Sequence, residues 1–229
     1  MKVSRVERLD LRFEPGPWVF AGQRRAEIEA HFAAAQREKP RLWNGRVLLM
    51  RDYEIANDTL RGAFFETDFA SFHAWLRWGC PSAEAYDCFG SAAVRASDGA
   101  FLLAQMAAHT ANAGRIYFPC GTPDPSDVRN GTVDFAYSVG RELLEETGLD
   151  MADFETEPGW TIVEDAARVV AYKLAHARES GDLLRERVER HLAKEIDGEL
   201  AAVRLVRGSA DLVPAMPDYV KGFLADAWR

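Results

Sequence analysis

Three glutamates one helical turn apart are the residues of this sequence whose types and spacing most directly suggest chemistry. Glu142, Glu145 and Glu146 lie in the segment 134–147, DFAYSVGRELLEET, which is predicted to be a helix with Asp134 as its N-cap. At about 100° per residue, the three carboxylates fall within roughly one quadrant of the helix. Their mutual repulsion and their closeness to the negative end of the helix dipole are unfavourable for stability alone. The pattern therefore indicates a site where a cation neutralises them.

The donor atoms of this cluster indicate which cation. Carboxylate oxygens without a nearby Cys or His suit Mg²⁺ or Mn²⁺ rather than zinc. Such an ion shares carboxylates with substrate phosphates and lowers the pKa of an attacking water. The alternative is a solvated acidic face with Arg141 as a local ion-pair partner.

The elements around this helix predict an α+β chain, an α/β/α sandwich with a mixed sheet between helices. Strands are expected at 4–13, 46–54 and 59–67, on both sides of the turn 97–99, and at 160–164, 168–176 and 200–206. Helices are expected at 22–38, 70–79, 134–147, 181–196 and 217–228. We expect residues 1–85 to form an N-terminal β/α extension that packs on a core domain of residues 86–229.

Composition narrows the classes of function. The chain has 229 residues, 48% hydrophobic and 28% charged, with a net charge of −8. This charge gives no help in approaching DNA or RNA, and no apolar run reaches the roughly 18–20 residues of a membrane span. Cys80, Cys88 and Cys120 lack metal-ligand spacing and are expected to be reduced thiols. We expect a cytoplasmic protein with neither nucleic acid nor membrane as partner, and a homodimer stays open.

The segment RELLEETGL resembles the C-terminal half of the Nudix box, commonly written G-x5-E-x7-R-E-U-x-E-E-x-G-U, with U an aliphatic residue. All seven specified positions match, with a chance probability on the order of 10⁻⁵ for the whole chain. The matching residues are Arg141, Glu142, Leu143, Glu145, Glu146, Gly148 and Leu149. The chain is therefore similar to the Nudix (MutT-like) hydrolases. The resemblance implies the Nudix fold and a Mg²⁺-dependent or Mn²⁺-dependent pyrophosphohydrolase.

The N-terminal half of the box departs from this pattern. Gly121 is followed after five residues by Asp127, where the family usually has Glu. Thirteen residues separate Asp127 from Arg141, where the family has seven, and the extra residues include the turn dipeptide Asn130–Gly131. We expect a small inserted loop or hairpin. Either Asp127 or Asp134 could replace the usual Glu, although Asp134 already has a role as helix cap.

The resemblance also implies roles for the matching residues. Glu145 and Glu146 would be the principal metal ligands, and Asp127 is a candidate one. Glu142 would be a further ligand or would position one. Arg141 would pair with a carboxylate and hold the loop and the helix together.

Two further roles follow from the same resemblance. Gly121 would let the backbone approach the diphosphate. Nudix hydrolases often use a later acidic residue as ligand or general base, and we favour Glu199 over Glu195, with Glu164 and Asp165 as weaker candidates.

The resemblance implies that the substrate is a nucleoside diphosphate linked to another group, and a segment of the first 85 residues suggests which group. PRLWNGRVLLM resembles a segment in N-terminal extensions of Nudix enzymes that act on UDP-sugars, so we rank UDP-sugars first. Other nucleotide sugars such as ADP-ribose and dinucleotide polyphosphates follow. The basic candidates for substrate contacts are Arg41, Arg46, Arg61 and Arg115.

Aromatic residues are dense in the same region, and any of them could stack on a base. For each one singly, a place in the core is the more common outcome. They are Trp18, Phe20, Phe32, Trp43, Phe64, Phe65, Phe69, Phe72, Trp75 and Trp78. A catalytically inactive Nudix-fold module that binds a nucleotide for regulation is the alternative function. Loss of Glu145 and Glu146 would mark such a module, and both are present.

Overall fold

The computed structural model describes all 229 residues and contains thirteen strands and six α-helices. The strands are β1 (Lys2–Val6), β2 (Arg8–Phe13), β3 (Arg46–Ala56), β4 (Thr59–Asp68), β5 (Asp87–Arg95), β6 (Phe101–Met106), β7 (Ile116–Tyr117), β8 (Val128–Arg129), β9 (Thr132–Val133), β10 (Glu155–Thr156), β11 (Trp160–Asp165), β12 (Arg168–His176) and β13 (Leu200–Val206). The helices are α1 (Val19–Gln23), α2 (Arg25–Glu38), α3 (Phe69–Arg77), α4 (Phe135–Thr147), α5 (Gly181–Leu192) and α6 (Asp218–Ala227).

The larger sheet lies between helices, as the sequence predicts for an α+β sandwich. Its order is β1-β11-β12-β5-β6-β13, with β10 and β7 attached to β12 and β6. The central pair β12 and β5 is parallel and the other pairs are antiparallel. Val139 of α4 and Leu184 of α5 pack in the core on one face, and Phe223 of α6 packs on the other. The mixed sheet between helices is confirmed.

A second sheet, in the order β3-β4-β2-β9-β8, packs beside the first. Helices α1, α2 and α3 cover one face, where Ile28 of α2 and Trp75 of α3 share a buried cluster with Phe65 of β4. The other face joins the large sheet in a shared core that includes Phe64 and Phe135. The two sheets therefore share buried apolar surface, which contributes about 25 cal/mol per Å² to stability.

Most of the aromatic candidates belong to these cores. Seven of the ten are buried: Trp18, Phe20, Phe32, Phe64, Phe65, Phe72 and Trp75. Trp43 differs, because 79% of its surface is exposed. A role in binding is therefore best considered for Trp43.

Each sheet contains a strand from the other side of residue 85. Strand β1 pairs with β11 in the large sheet, although it belongs to the N-terminal region. Strand β9, from the segment between Gly121 and α4, pairs with β2 in the second sheet. The division of the chain at residue 85 stays a prediction. Strands from residues 1–85 and from residues 86–229 occur together in both sheets.

Three element boundaries differ from the sequence prediction. The expected strand 4–13 is two strands in different sheets, because the Glu7 and Arg8 amides both donate to the carbonyl of Asp58 at the crossing point. The expected helix 22–38 is interrupted at Arg24. The charged helix expected at 181–196 ends at Leu192. None of the helices combines the length and the apolar character that a bilayer crossing requires.

Candidate active site

Helix α4 carries the predicted chemistry, and its ends are set by local interactions. The Asp134 carboxylate accepts a hydrogen bond from the Tyr137 amide at 3.0 Å and so caps the first turn. Gly148 ends the helix with a φ of 68°, a left-handed conformation that glycine adopts without strain. Val139 and Leu143 are fully buried on the face toward the large sheet. The apolar face therefore fixes which way the glutamates point.

The three glutamates do not share one environment. The Glu145 side chain is 59% exposed, whereas that of Glu142 is 16% exposed. Glu146 is buried. Only Glu142 of the three borders the large cleft that is described below. The predicted single acidic face is thus divided into one outer carboxylate, Glu145, and two inner carboxylates, Glu142 at the border of the cleft and the buried Glu146.

The loop at Cys120–Gly121 lies directly against the inner carboxylates. The Cys120 amide donates to Glu146 Oε2 at 3.2 Å. A Cβ atom placed on Gly121 would lie 2.3 Å from Glu142 Oε1, which is far inside van der Waals contact. Gly121 is therefore required for the close approach of loop and carboxylate, whatever its role toward a diphosphate.

Arg141 ties this loop region to the helix. Its Nη2 atom donates to both oxygens of Asp127 at 3.2 Å, and its Nη1 atom lies 2.8 Å from Glu142 and 3.0 Å from Glu145. Asp127 is fully buried and also accepts from the Ser138 hydroxyl. The pairing role that the resemblance implies for Arg141 is thus visible as an ion-pair network.

The metal-binding role expected for Asp127 stays a prediction, and the carboxylate has other partners in this structure. Its carboxylate is used by Arg141, Ser138 and the Asp124 amide, and it does not border the cleft. Asp134 is likewise engaged in capping α4. The resulting role for Asp127 is that of an anchor for Arg141.

The insertion before α4 forms the small hairpin that the sequence predicts. Strands β8 and β9 pair through a turn at Asn130 and Gly131, which have φ values of 52° and 77°. Because β9 also pairs with β2, the extra residues extend the loop to the second sheet.

Burial changes the acidity of the two inner glutamates. Burial raises the pKa of Glu142 to about 7; the Arg141 guanidinium opposes this increase, while the charges of Glu145 and Glu199 add to it. Burial, followed by the charges of Glu142 and Glu199, raises the pKa of Glu146 well above its ordinary value. A single guanidinium therefore does not offset the cost of ionising both carboxyl groups at this point.

The donors at this point fit a hard divalent ion by their chemistry. Glu142 and Glu146 are adjacent carboxylates, Glu199 is close enough to perturb both, and their positive neighbour Arg141 is shared with Asp127. Oxygen donors with excess negative charge suit Mg²⁺ or Mn²⁺. No three His, Cys, Asp or Glu side chains are gathered as a ready-made metal site. Substrate oxygens would have to complete the coordination.

A cleft of about 980 Å³ opens beside these carboxylates and has walls from both parts of the chain. This volume is at the upper end of the range of small-molecule sites. Glu142, Gly121 and Glu199 line one side, and Trp43 lines the N-terminal side. The Arg41–Asp197 ion pair, 2.7 Å long, joins the N-terminal region to the loop that leads into β13. The cleft can therefore hold a molecule of nucleotide size.

The four predicted basic contacts have different outcomes. Arg41, Arg46 and Arg115 line the cleft, and Arg46 also pairs with Glu66. Arg61 does not line it and lies in the second sheet, 3.8 Å from Asp10. The structure places Arg61 outside the cleft, so its predicted substrate contact has no support from this geometry.

The alternative acidic candidates are also distinguished by position. Glu199 and Asp165 line the cleft, whereas Glu164 bonds with Tyr53 and Lys2. Glu195 lies 3.3 Å from His191. Glu199 stays the favoured base on this placement.

Sequence reasoning missed an ion pair in the cleft between the buried Asp87 and the partly exposed Arg168, and the adjacent Tyr219. In sequence, Asp87 and Arg168 each look like a charge at the start of a strand. Only their pairing in the sheet brings them together, so no sequence signal could have found them.

Comparisons with known proteins give matches to solved structures alone. No family model matches the chain, and no curated protein is found to be similar. A MutT protein from Methanosarcina mazei Go1 is 20% identical, with 63% of this chain and 94% of that chain covered and a TM-score of 0.37. A Nudix hydrolase from Nitrosomonas europaea is 15% identical, with 62% and 90% covered and a TM-score of 0.37.

A bifunctional NMN adenylyltransferase/ADP ribose pyrophosphatase from Francisella tularensis is 14% identical. That match covers 69% of this chain and 45% of the other, with a TM-score of 0.45. At TM-scores of 0.37 to 0.45 these matches carry no argument about the family or the activity of this chain. The residues of the cleft therefore have to carry any inference about function.

The raised pKa of Glu142 makes the stability of the metal-free protein depend on pH. The folded chain binds more protons than the unfolded chain between the ordinary value of 4.5 and about 7, so this group lowers stability as pH rises through that window. Glu142→Gln removes the ionisation. In EDTA, we expect the variant to be more stable than wild type at pH 8, by on the order of 1 to 3 kcal/mol, and to show little difference near pH 4.5. Urea unfolding at both pH values measures this difference.

Glu186→Gln, an exposed change on α5, is the matched control and should show no pH-dependent gain. A Glu142→Gln variant that is equally destabilised at both pH values would contradict the electrostatic account.

Proposed function

We propose that this chain is a Mg²⁺-dependent or Mn²⁺-dependent Nudix-type pyrophosphohydrolase that cleaves a nucleoside diphosphate linked to another group. The main support is the pair of adjacent, poorly compensated carboxylates, Glu142 and Glu146, held by the Cys120–Gly121 loop beside a nucleotide-sized cleft. Structural stability gives no reason to bury such a pair. A divalent ion shared with a diphosphate gives one.

The proposed reaction is hydrolysis of the phosphoanhydride. The oxygen of a water molecule bonds to one phosphorus, the bridging P–O bond breaks, and two phosphomonoesters are released. A bound divalent ion would neutralise the phosphates and lower the pKa of the water. We assign Glu199 as the base that takes the proton of this water, because it is an acidic residue of the cleft within electrostatic reach of Glu142 and Glu146.

The remaining residues of the motif support this arrangement. Arg141 is a positioning residue, because its guanidinium pairs with Glu142 and Glu145 and is itself fixed by an ion pair with the buried Asp127. Gly121 keeps the loop free of a side chain that would displace Glu142. Glu145, the outer carboxylate, stays a predicted metal ligand that would act from the exposed side of α4.

The N-terminal region supports a nucleotide sugar, with UDP-sugars first, as the substrate class. Arg41, Trp43, Gly45 and Arg46 belong to the segment that resembles UDP-sugar hydrolases, and all four line the cleft. The Trp43 ring contacts Gly45 closely, because a Cβ atom on Gly45 would lie 2.2 Å from a carbon of the ring. An exposed indole that contacts the backbone at Gly45 in this way is suited to stack on a base. A cytoplasmic location and a homodimer stay predictions.

An inactive regulatory module is the second candidate. The absence of a ready-made group of three ligands and the use of Asp127 as a structural anchor favour it. Such a module would bind a nucleotide tightly without turnover.

A panel of nucleoside diphosphate compounds distinguishes the two candidates. With Mg²⁺ or Mn²⁺, we expect UDP-sugars to yield UMP and a sugar phosphate, identified by mass, and EDTA to abolish the products. The reason is that the diphosphate and the inner glutamates both require the cation. Tight binding of a nucleotide with no product from any compound would favour the regulatory module instead.

Glu146→Gln tests the inner carboxylate directly. We expect kcat to fall by about 10²-fold or more, because a neutral amide cannot supply the negative oxygen, while the fold is retained. The amide oxygen of Gln can still accept from Cys120, and circular dichroism would show whether the chain is folded. Glu186→Gln is the control on α5. Wild-type turnover in a folded Glu146→Gln variant would remove α4 from the mechanism.

Trp43→Ala tests the stacking role. We expect KM to rise by about tenfold with little change in kcat, since stacking of a base contributes roughly 1–3 kcal/mol. Trp43→Phe should restore most of the affinity. Ile196→Ala, at a residue that is 96% exposed and outside the cleft, is the matched control. An unchanged KM in Trp43→Ala would place the base elsewhere.

A further inference from the structure

The cleft contains an ion pair that the motif does not explain. Asp87 and Arg168 begin the two central parallel strands β5 and β12 and are register partners in the sheet. Arg168 Nε donates to Asp87 Oδ2 at 2.8 Å, and the Asp87 amide donates to the Ala167 carbonyl at the same distance. Both side chains line the cleft. Their position is therefore fixed by the rigid centre of the large sheet.

Only one edge of the Arg168 guanidinium forms a hydrogen bond with the protein. Its hydrogen bond to the protein is made by Nε, while the two terminal nitrogens bond to no protein atom and are not sealed from solvent. The side chain is 32% exposed and its partner 6% exposed. The Tyr219 ring lies under the guanidinium carbon at 5.1 Å. The buried Asp87 carboxylate thus binds Nε, and the two terminal nitrogens of Arg168 stay free to bind a ligand in the cleft.

The ion pair opens onto the same cleft as residues of the motif region. Asp87, Arg168, Cys120, Gly121 and Glu142 all line this cleft. The Cys120 amide donates to Glu146 Oε2 at 3.2 Å, so the loop connects the lining of the cleft to the buried carboxylate. A diphosphate bound in this cleft would therefore have Arg168 as a cationic neighbour.

Asp87 is buried while Arg168 is partly exposed, and burying a carboxylate has a desolvation cost, so the pair is weak evidence for a role in stability alone. An arginine held by a carboxylate loses less freedom on binding, because its planar fork is already oriented. Two free terminal nitrogens in one plane match two oxygens of a phosphate.

We propose that Arg168, oriented by Asp87, binds a phosphate oxygen of the substrate and so positions the diphosphate beside Glu142 and Glu146. This inference rests on the proposed function for the identity of the anion. Arg168 is then a substrate-binding residue, and Asp87 is a positioning residue that acts through it.

Binding of methylenediphosphonate with Mg²⁺, measured by calorimetry, tests this subsite without turnover, a base or a sugar. We expect Arg168→Gln to weaken binding by about 10-fold to 100-fold, the range of a lost hydrogen bond to a charged group. Arg168→Lys should weaken it less, because the charge is kept but the fork is lost. Asp87→Asn should also weaken it less than Arg168→Gln. Arg61→Gln, outside the cleft, should bind as wild type does.

The outcomes separate this inference from the proposed function. Wild-type affinity in a folded Arg168→Gln variant, or in Arg168→Lys and Asp87→Asn should Arg168→Gln fail to fold, overturns the subsite. A wild-type protein that does not bind methylenediphosphonate also overturns it. Arg168-dependent binding combined with no product from the nucleotide panel keeps the subsite and rejects hydrolysis. Turnover of the panel that is insensitive to Arg168 rejects the subsite alone.

Discussion

The burial of two like-charged carboxylates beneath one loop is the constraint on which the rest of the site depends. Removing an ion from water costs several kcal/mol, and Glu142 and Glu146 are adjacent. Val139 and Leu143, on the buried face of the same helix, each contribute roughly 1.5–3 kcal/mol by burial. The apolar face of α4 can therefore hold both carboxylates at the loop despite their repulsion. A cation then finds donors that are already in place.

The Arg141 network explains why the loop before α4 is long. One guanidinium serves Glu142, Glu145 and the buried Asp127, so it cannot cancel the charge of all three. Asp127 lies in this loop and pairs with Arg141 of α4. The hairpin β8–β9 that follows Asp127 pairs with β2 of the second sheet. The inserted residues thus connect the motif to the N-terminal region. The same region contributes Trp43 and Arg41 to the opposite wall of the cleft.

The sequence was most informative where local interactions decide structure. Strand β12 and the helix with its Asp134 cap and Gly148 end could be predicted closely, because alternation and capping are local signals. The segment 4–13 could not, because its alternation is continuous while the choice of partner for each half is a tertiary property. The helical wheel likewise grouped the three glutamates but could not tell which of them the loop at Gly121 would cover.

The charge of the cleft differs from that of the whole chain. The chain has 28 Lys and Arg against 36 Asp and Glu, whereas six of each line the cleft. A net negative field opposes the approach of a free diphosphate, while a diphosphate already bound to Mg²⁺ has less charge to repel. Within the cleft, Glu142 and Glu199 would be available to a cation and Arg115 and Arg168 to phosphate oxygens. Under the proposed function, this distribution of charge would favour the cation-bound form of the substrate both outside the cleft and within it.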